Sequence, residues 1–196
     1  MLYFVRHGQT DWNAAHRLQS HSDIPLNATG RAQAKAIAQL FTDNSVRFTV
    51  AASSPLQRAS ETAASILADS NVTAHPYPEL IEISLGQYEG EHEEELRTKL
   101  GPAYDRWRQT YFETAAPGGE SRADAINRVR HRLAGLAECA QTAPVLVVGH
   151  QAINMAMKSA LSGLTDATSL KSFMQANNEI DVWQVAPARL IERLKV

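Results

Sequence analysis

Two arginines and two histidines recur in this 196-residue sequence at places where they could share one reaction. Arg6-His7-Gly8 closes a short apolar run, Arg58 follows Ser53-Ser54-Pro55, and Gly149-His150 follows Val145-Leu146-Val147-Val148. Guanidinium groups keep their charge at any working pH and bind phosphate oxygens in planar, bidentate pairs. A neutral imidazole beside them is a nucleophile, and two nearby cations favour that neutral form. Each signal alone has an ordinary explanation. A histidine after a strand is more often structural than catalytic, and an arginine in a first helical turn is commonly a solvated charge. Three such groups at strand ends, with glycine beside both histidines, weigh toward one anion-binding site.

The elements that must position them alternate. Leu2 to Val5 reads as a first strand, and Thr29 to Phe41 as a helix whose buried stripe includes Ile37, Leu40 and Phe41. Phe48 to Ala52 reads as a second strand, and Pro55, suited to a first helical turn, opens a helix carrying Ile66 and Leu67. Thr73 to Tyr77 reads as a weaker third strand. Ser121 with Asp124 forms a capping-box pattern before a long helix with Ile126, Val129, Leu133 and Leu136. Pro144 to Val148 is the clearest buried strand, followed by a helix over Ile153 to Leu161 and strands near Ile180–Val185 and Leu190–Val196. Short apolar runs alternating with helical periodicity argue for an α/β layered domain. In open, mostly parallel sheets, ligands bind at the carboxyl ends of the strands, so the reactive groups would meet in one crevice.

The motifs carry a resemblance across nearly the whole chain. Val5-Arg6-His7-Gly8-Gln9-Thr10-Asp11-Trp12-Asn13 resembles the signature of the histidine phosphatase superfamily, also called the phosphoglycerate mutase-like family. Asp23-Ile24-Pro25-Leu26 with Thr29-Gly30 is similar to its next segment, and Ser53-Ser54-Pro55-Leu56-Gln57-Arg58-Ala59 to the one supplying a second arginine. Leu80-Ile81-Glu82 with Gly86 and Glu89-Gly90, Gly118-Gly119-Glu120-Ser121, and Val147-Val148-Gly149-His150 resemble later blocks. The resemblance implies a three-layer α/β/α sandwich with a mostly parallel central sheet. It also implies metal-independent hydrolysis of a small phosphomonoester, with His7 as nucleophile and no cofactor. Arg6, Arg58 and His150 would surround the phosphoryl oxygens, taking the place of magnesium, and Asn13 would add an amide. Glu82 would give a proton to the leaving oxygen and later take one from water; Glu79 and Glu89 are neighbouring candidates for that task.

Some residues depart from the family pattern. Ser20 follows Gln19 where many relatives have glycine, so a backbone contact to phosphate changes there; Gln19 and Ser20 are taken as substrate-binding. Gln151 stands where glycine is frequent and is placed within reach of substrate. The mutases of central glycolysis are longer than this chain, which favours hydrolysis; phosphoryl exchange by a mutase is the alternative, and a non-catalytic phosphate-binding module the third reading. Residues 1–196 are expected to form one domain, with 85–119 an insertion or lid over the site. Tyr104, Trp107 and Tyr111 would wall that lid or pack in the core. Arg97, Lys99, Arg106 and Arg108 would meet a second anionic group or form a solvated face beside Glu93 to Glu95. His16, His21 and Asp23 do not match zinc spacings and are taken as polar loop residues.

Composition narrows the partners. The formal net charge is -2, 44% of residues are hydrophobic and 20% are charged, which argues against a nucleic-acid or membrane-surface binder. One cysteine, Cys139, excludes an intrachain disulfide framework. No basic region precedes the N-terminal apolar run, and no stretch approaches membrane-spanning length. The expected setting is the cytoplasm and the expected partner a small phosphorylated metabolite. Homo-oligomers are compatible with the sequence but not readable from it.

Overall fold

A computed structural model describes residues 1–110 and 113–196. Strand β1 (Leu2–Arg6) lies at the centre because its side chains are apolar on both faces. So are those of its parallel neighbour, whose register sets Leu2 against Val145 and Arg6 against Gly149. In chain order the strands are β1, β2 (Val50–Ser53), β3 (His75–Pro76), β4 (Val145–Gly149), β5 (Glu179–Val185) and β6 (Ala188–Lys195). They pair in the order β3-β2-β4-β1-β5-β6. The first three pairings are parallel, and β1–β5 and β5–β6 are antiparallel.

Period-two alternation divides the core. Val5, Ala51, Leu146 and Val148 pack with Ile37, Phe41, Ala59, Ala63 and Ile66 on one face of the sheet. Leu2, Phe4, Val145 and Val147 pack on the other with Val129, Leu133, Leu136, Ile153 and Met157. The first face is covered by α2 (Ala28–Asp43) and α3 (Gln57–Ile66), the second by α6 (Arg122–Thr142) and α7 (Gln151–Ser162). This is the three-layer sandwich. Each fully buried aliphatic side chain in it contributes about 1.5–3 kcal/mol.

Sequence dictates where the helices start. Asn27 caps α2 by accepting from the Gly30 N–H (2.9 Å). Ser121 and Asp124 form the capping box of α6, each side chain bonded to the other's backbone N–H. Helix α3 begins at Gln57 rather than at Pro55, because Leu56 stands at its N-cap and has no capping oxygen. The acceptor is supplied from elsewhere: Asp23 Oδ1 takes the Gln57 N–H at 2.7 Å. Two short helices have no counterpart in the expected pattern, α1 (Asp11–Ala14) and α8 (Ala167–Ser172).

Between α3 and α6 the chain makes an excursion containing α4 (Glu93–Leu100) and α5 (Pro102–Thr110). Its two ends touch. Gln87 N donates to the Pro117 carbonyl (2.9 Å) and Glu120 N to the Ser84 carbonyl (2.9 Å). Gly86, at φ +48°, is required there, since a Cβ would lie 2.2 Å from the Pro117 carbonyl oxygen. Leu96, Tyr104 and Trp107 are buried with the α6/α7 core. Of the aromatic wall expected from sequence, Tyr104 and Trp107 therefore pack in the core, and Tyr111 lies outside the described residues. Among the described residues, no helix is long and apolar enough to cross a membrane.

Candidate active site

The chain leaves β1 toward the α2 face and leaves β4 toward the opposite face, into α7. Adjacent parallel strands whose connections diverge in this way open a crevice at their carboxyl ends. His7 sits in it, its backbone N–H continuing the ladder to the Gly149 carbonyl at 3.0 Å. Gly8 keeps it there: a Cβ on Gly8 would lie 2.3 Å from the Gly30 carbonyl oxygen, so the loop after β1 and the first turn of α2 touch backbone to backbone.

Hydrogen bonds fix both imidazole tautomers. His7 Nδ1 lies 2.7 Å from the Gly8 carbonyl, which can only accept, so Nδ1 carries the hydrogen and Nε2 the free lone pair. His150, N-cap of α7, has its ring centre 5.0 Å from that of His7. Its Nδ1 accepts from Arg58 Nε (3.2 Å), which leaves Nε2–H to donate to Ser54 Oγ (2.7 Å). Burial above all, then the charges of Arg6 and Arg58, holds His7 well below the usual histidine range. Burial and Arg58, followed by His7 and Arg6, do the same to His150. Both rings are therefore neutral at pH 7.

The two arginines are held differently. Arg58, in the first turn of α3, is fully buried; its Nη1 and Nη2 donate to the Ser22 (2.9 Å) and Ser20 (2.7 Å) carbonyls. Arg6 gives Nη1 to the Gln151 side-chain oxygen (2.5 Å) and the Gln175 carbonyl (3.1 Å), while its buried Nε has no partner. Burial lowers each guanidinium to about 10, opposed first by the charge of Glu82. Both remain cations at neutral pH.

Glu82 is buried against the start of α7. Its Oε1 accepts the Ile83 (2.8 Å) and Ile153 (2.9 Å) N–H groups, and Oε2 accepts the Ala152 N–H at 3.1 Å. It thus supplies the side-chain cap that His150 does not give to α7. Glu89 is engaged elsewhere, its Oε1 accepting from Ser20 N (3.2 Å) and Ser22 N (2.5 Å). Glu79 pairs with Arg132 at 3.3 Å.

Arg6, His7, Arg58, Glu82 and His150 are thus gathered in one crevice, and Gln151 joins them through Arg6. Asn13 and Gln19 are bonded to each other, Nδ2 to Oε1 at 3.3 Å, and the Gln19 amide nitrogen is buried without a partner. Ser20 is placed otherwise than expected: its hydroxyl donates to the Ile83 carbonyl (2.8 Å) and accepts from Leu85 N (3.2 Å). It joins the loop over Arg58 to the Glu82 segment, with both polar groups committed. His21 also serves that joint, with Nε2 donating to the Glu82 carbonyl (2.8 Å). Ser54 carries no assigned role in the sequence reading, and Gln175 and Asn177 lie outside its motifs, yet Asn177 donates to the His7 carbonyl at 2.6 Å. The adjacency of Ser54 to the Arg58 segment was the available signal; nothing local marks Gln175 or Asn177.

A cleft of about 260 Å³ runs beside Arg6, lined by Gln151, Met174, Gln175, Ala176 and Glu179. A larger one, about 620 Å³, lies between Ala15–His16 and α4 and includes none of the five gathered residues. The cations of α4 and α5 form a solvated face. Arg97 lies 3.9 Å from Asp105, Lys99 lies 3.9 Å from Glu91, and Arg108 stacks on Trp107.

A strand-end pocket of this kind, on this sheet, is the arrangement of a phosphoryl-transfer enzyme that works through histidine. The chain belongs to the histidine phosphatase superfamily (branch 1), whose family model matches residues 2–191. It is 33% identical over 172 residues to phosphoserine phosphatase 1 of Hydrogenobacter thermophilus, covering 88% of this chain and 80% of that protein. It is also 33% identical over 153 residues to a probable phosphoglycerate mutase of Serratia proteamaculans, covering 76% of this chain and 68% of the relative. The structure of a mycobacterial glucosyl-3-phosphoglycerate phosphatase superposes with a TM-score of 0.85 at 29% identity, over 96% of both chains.

Proposed function

We propose that the chain hydrolyses a small phosphomonoester in two steps, with His7 carrying the phosphoryl group between them. The observation that carries this reading is the His7 ring, neutral, with Nδ1 bonded to the Gly8 carbonyl and Nε2 free. In the first step the Nε2 lone pair forms the N–P bond as the ester P–O bond breaks. The ring gains positive charge, which strengthens its Nδ1–H bond to Gly8. The unpartnered Nε of Arg6 and the spare hydrogens of Arg58 suit the phosphoryl oxygens, where developing charge is best met by fixed donors, and Nε2–H of His150 would join them by turning from Ser54 Oγ. Asn13 and Gln19 would add amide contacts at the rim.

The leaving oxygen takes a proton, and Glu82 is the carboxyl group in place to give it. Oε1 already accepts two N–H bonds and Oε2 only one, so Oε2 has the capacity to carry the proton. In the second step the same oxygen takes a proton from water, whose oxygen bonds to phosphorus as the N–P bond breaks. The segment 85–119 walls the pocket as a packed insertion rather than a hinged flap, a reading supported by its pinched ends and buried aromatic pair.

Similarity to proteins named as phosphatases and as mutases makes the acceptor the point to test. Incubation with p-nitrophenyl phosphate should release phosphate at an unchanged rate when a chelator is present, and His7→Ala should lose it by about 10³-fold or more. Phosphoglycerate isomers, followed with and without a bisphosphate primer, should be hydrolysed and not interconverted. Primer-dependent interconversion would replace hydrolysis by mutase chemistry on the same histidine.

A further inference from the structure

Behind Arg6 lies a buried ion pair that the two-step reaction does not use. Lys158, two turns into α7, and Asp181, on β5, are both fully buried. The Lys158 ammonium donates to the Phe173 carbonyl (3.1 Å), to Gln175 Oε1 (3.0 Å) and to the Asp181 carboxylate. All three of its hydrogens have acceptors. Asp181 has a second partner in Arg193 of β6, at 2.5 Å and 2.9 Å. Burying such a pair is a poor route to stability, because well-packed apolar residues of similar volume serve as well or better.

What the pair holds is Gln175, itself only 2% exposed. Its side-chain oxygen accepts from Lys158 and from Asn154 Nδ2 (3.3 Å). Its amide nitrogen donates to the Phe4 (2.6 Å) and Glu179 (3.0 Å) carbonyls. Every position on the amide is taken, so the residue cannot turn. Its backbone carbonyl, fixed by these bonds, accepts Nη1 of Arg6. With Nη1 tied, the edge of the guanidinium left for a ligand is Nε–Nη2, and Nε is buried without a partner. A buried donor without a partner calls for an acceptor that arrives with the substrate.

We propose that Lys158 and Gln175 are positioning residues that aim the Nε–Nη2 edge of Arg6 at the phosphoryl oxygens. The proposal rests on the reading that Arg6 binds those oxygens. Lys158 acts through Gln175 and touches no substrate. Its replacement by an apolar side chain leaves Asp181 paired with Arg193, so no carboxylate is stranded.

A double-mutant cycle on the full chain, with p-nitrophenyl phosphate as probe, tests it. Lys158→Met should lower kcat/KM about tenfold or more, the scale of a misplaced catalytic contact. In an Arg6→Ala background the same change should alter kcat/KM by no more than about twofold, the limit for residues acting as one unit. Gln175→Met should repeat the pattern. A Lys158→Met loss of equal size in both backgrounds overturns the proposal, as does wild-type activity of Lys158→Met when Arg6→Ala is impaired. Full activity of Arg6→Ala would instead remove the reading of Arg6, and this inference with it. Near-ultraviolet circular dichroism reports folding at the assay temperature; failure of both Lys158→Met and Gln175→Met to fold assigns the network to stability and overturns the proposal.

Discussion

Arg58 shows how much one side chain does in this crevice. Its Nε fixes the His150 tautomer, and its two terminal nitrogens hold the carbonyls of Ser20 and Ser22, so the ring and the loop share one anchor. Lysine keeps the charge but carries its donors on one nitrogen, without the planar fork that spans the ring and both carbonyls here. Arg58→Lys is expected to lower kcat by about 10²-fold or more, and it should also loosen the 20–22 loop, seen as faster amide exchange there. Unchanged kcat in a folded Arg58→Lys variant would show that charge alone suffices. The same fork explains what residue types could and could not reveal. An arginine after a strand is readable as a phosphate ligand. Its bond to a histidine 92 positions away is not. Glu82 was readable as a carboxylate near the site, but its second task, capping α7, depends on N–H groups 70 and 71 residues further on.

At the scale of elements, local signals were legible wherever the partner sits within a turn. The Ser121/Asp124 box announced α6, and the β-branched run announced β4. Ser121→Ala is expected to cost about 1 kcal/mol in chemical denaturation while leaving kcat/KM unchanged, since the Ser121 hydroxyl is engaged with Asp124 of its own helix. Where the partner is distant, the pattern misleads: Pro55 suggested a helix start, but the cap for α3 comes from Asp23. Helix α8 is too short for its sequence to show an apolar stripe, although Asp166 caps it by accepting from Thr168 and Ser169. Gly86 and the Pro117-Gly118-Gly119 run were legible as turn residues, and the structure brings the two together. The packing of the segment between them was not legible, since aromatic residues at helical spacing fit a lid and a core equally well. Gly86→Ala is expected to destabilise the chain by about 2 kcal/mol or more, from the left-handed φ and the backbone clash with Pro117. A denaturation midpoint equal to wild type would show that the pinch is not the closure described here.

The whole molecule bears the cost of placing two neutral histidines among cations. Both are held below the free value of about 6.5. An unfolded chain therefore binds protons at these sites under conditions where the folded one does not. Their contribution is fully present above pH 6.5 and is lost as pH falls toward the folded values, at about 1.4 kcal/mol per pH unit for each ring. Unfolding free energy should drop between pH 6.5 and 5.5, and His7→Asn should make that drop shallower. An identical drop in the variant would place the acid sensitivity elsewhere. The two apolar cores on either side of the sheet offset the cost of burying these polar rings.

Between the two steps the phosphoryl group has to rest on one side chain. Rapid alkaline quenching of the chain during turnover of p-nitrophenyl phosphate, followed by mass-spectrometric location of bound phosphate, addresses that directly. Phosphate on the His7 ring is the predicted result. Phosphate on another side chain, or none at any quench time with turnover continuing in His7→Ala, would contradict it.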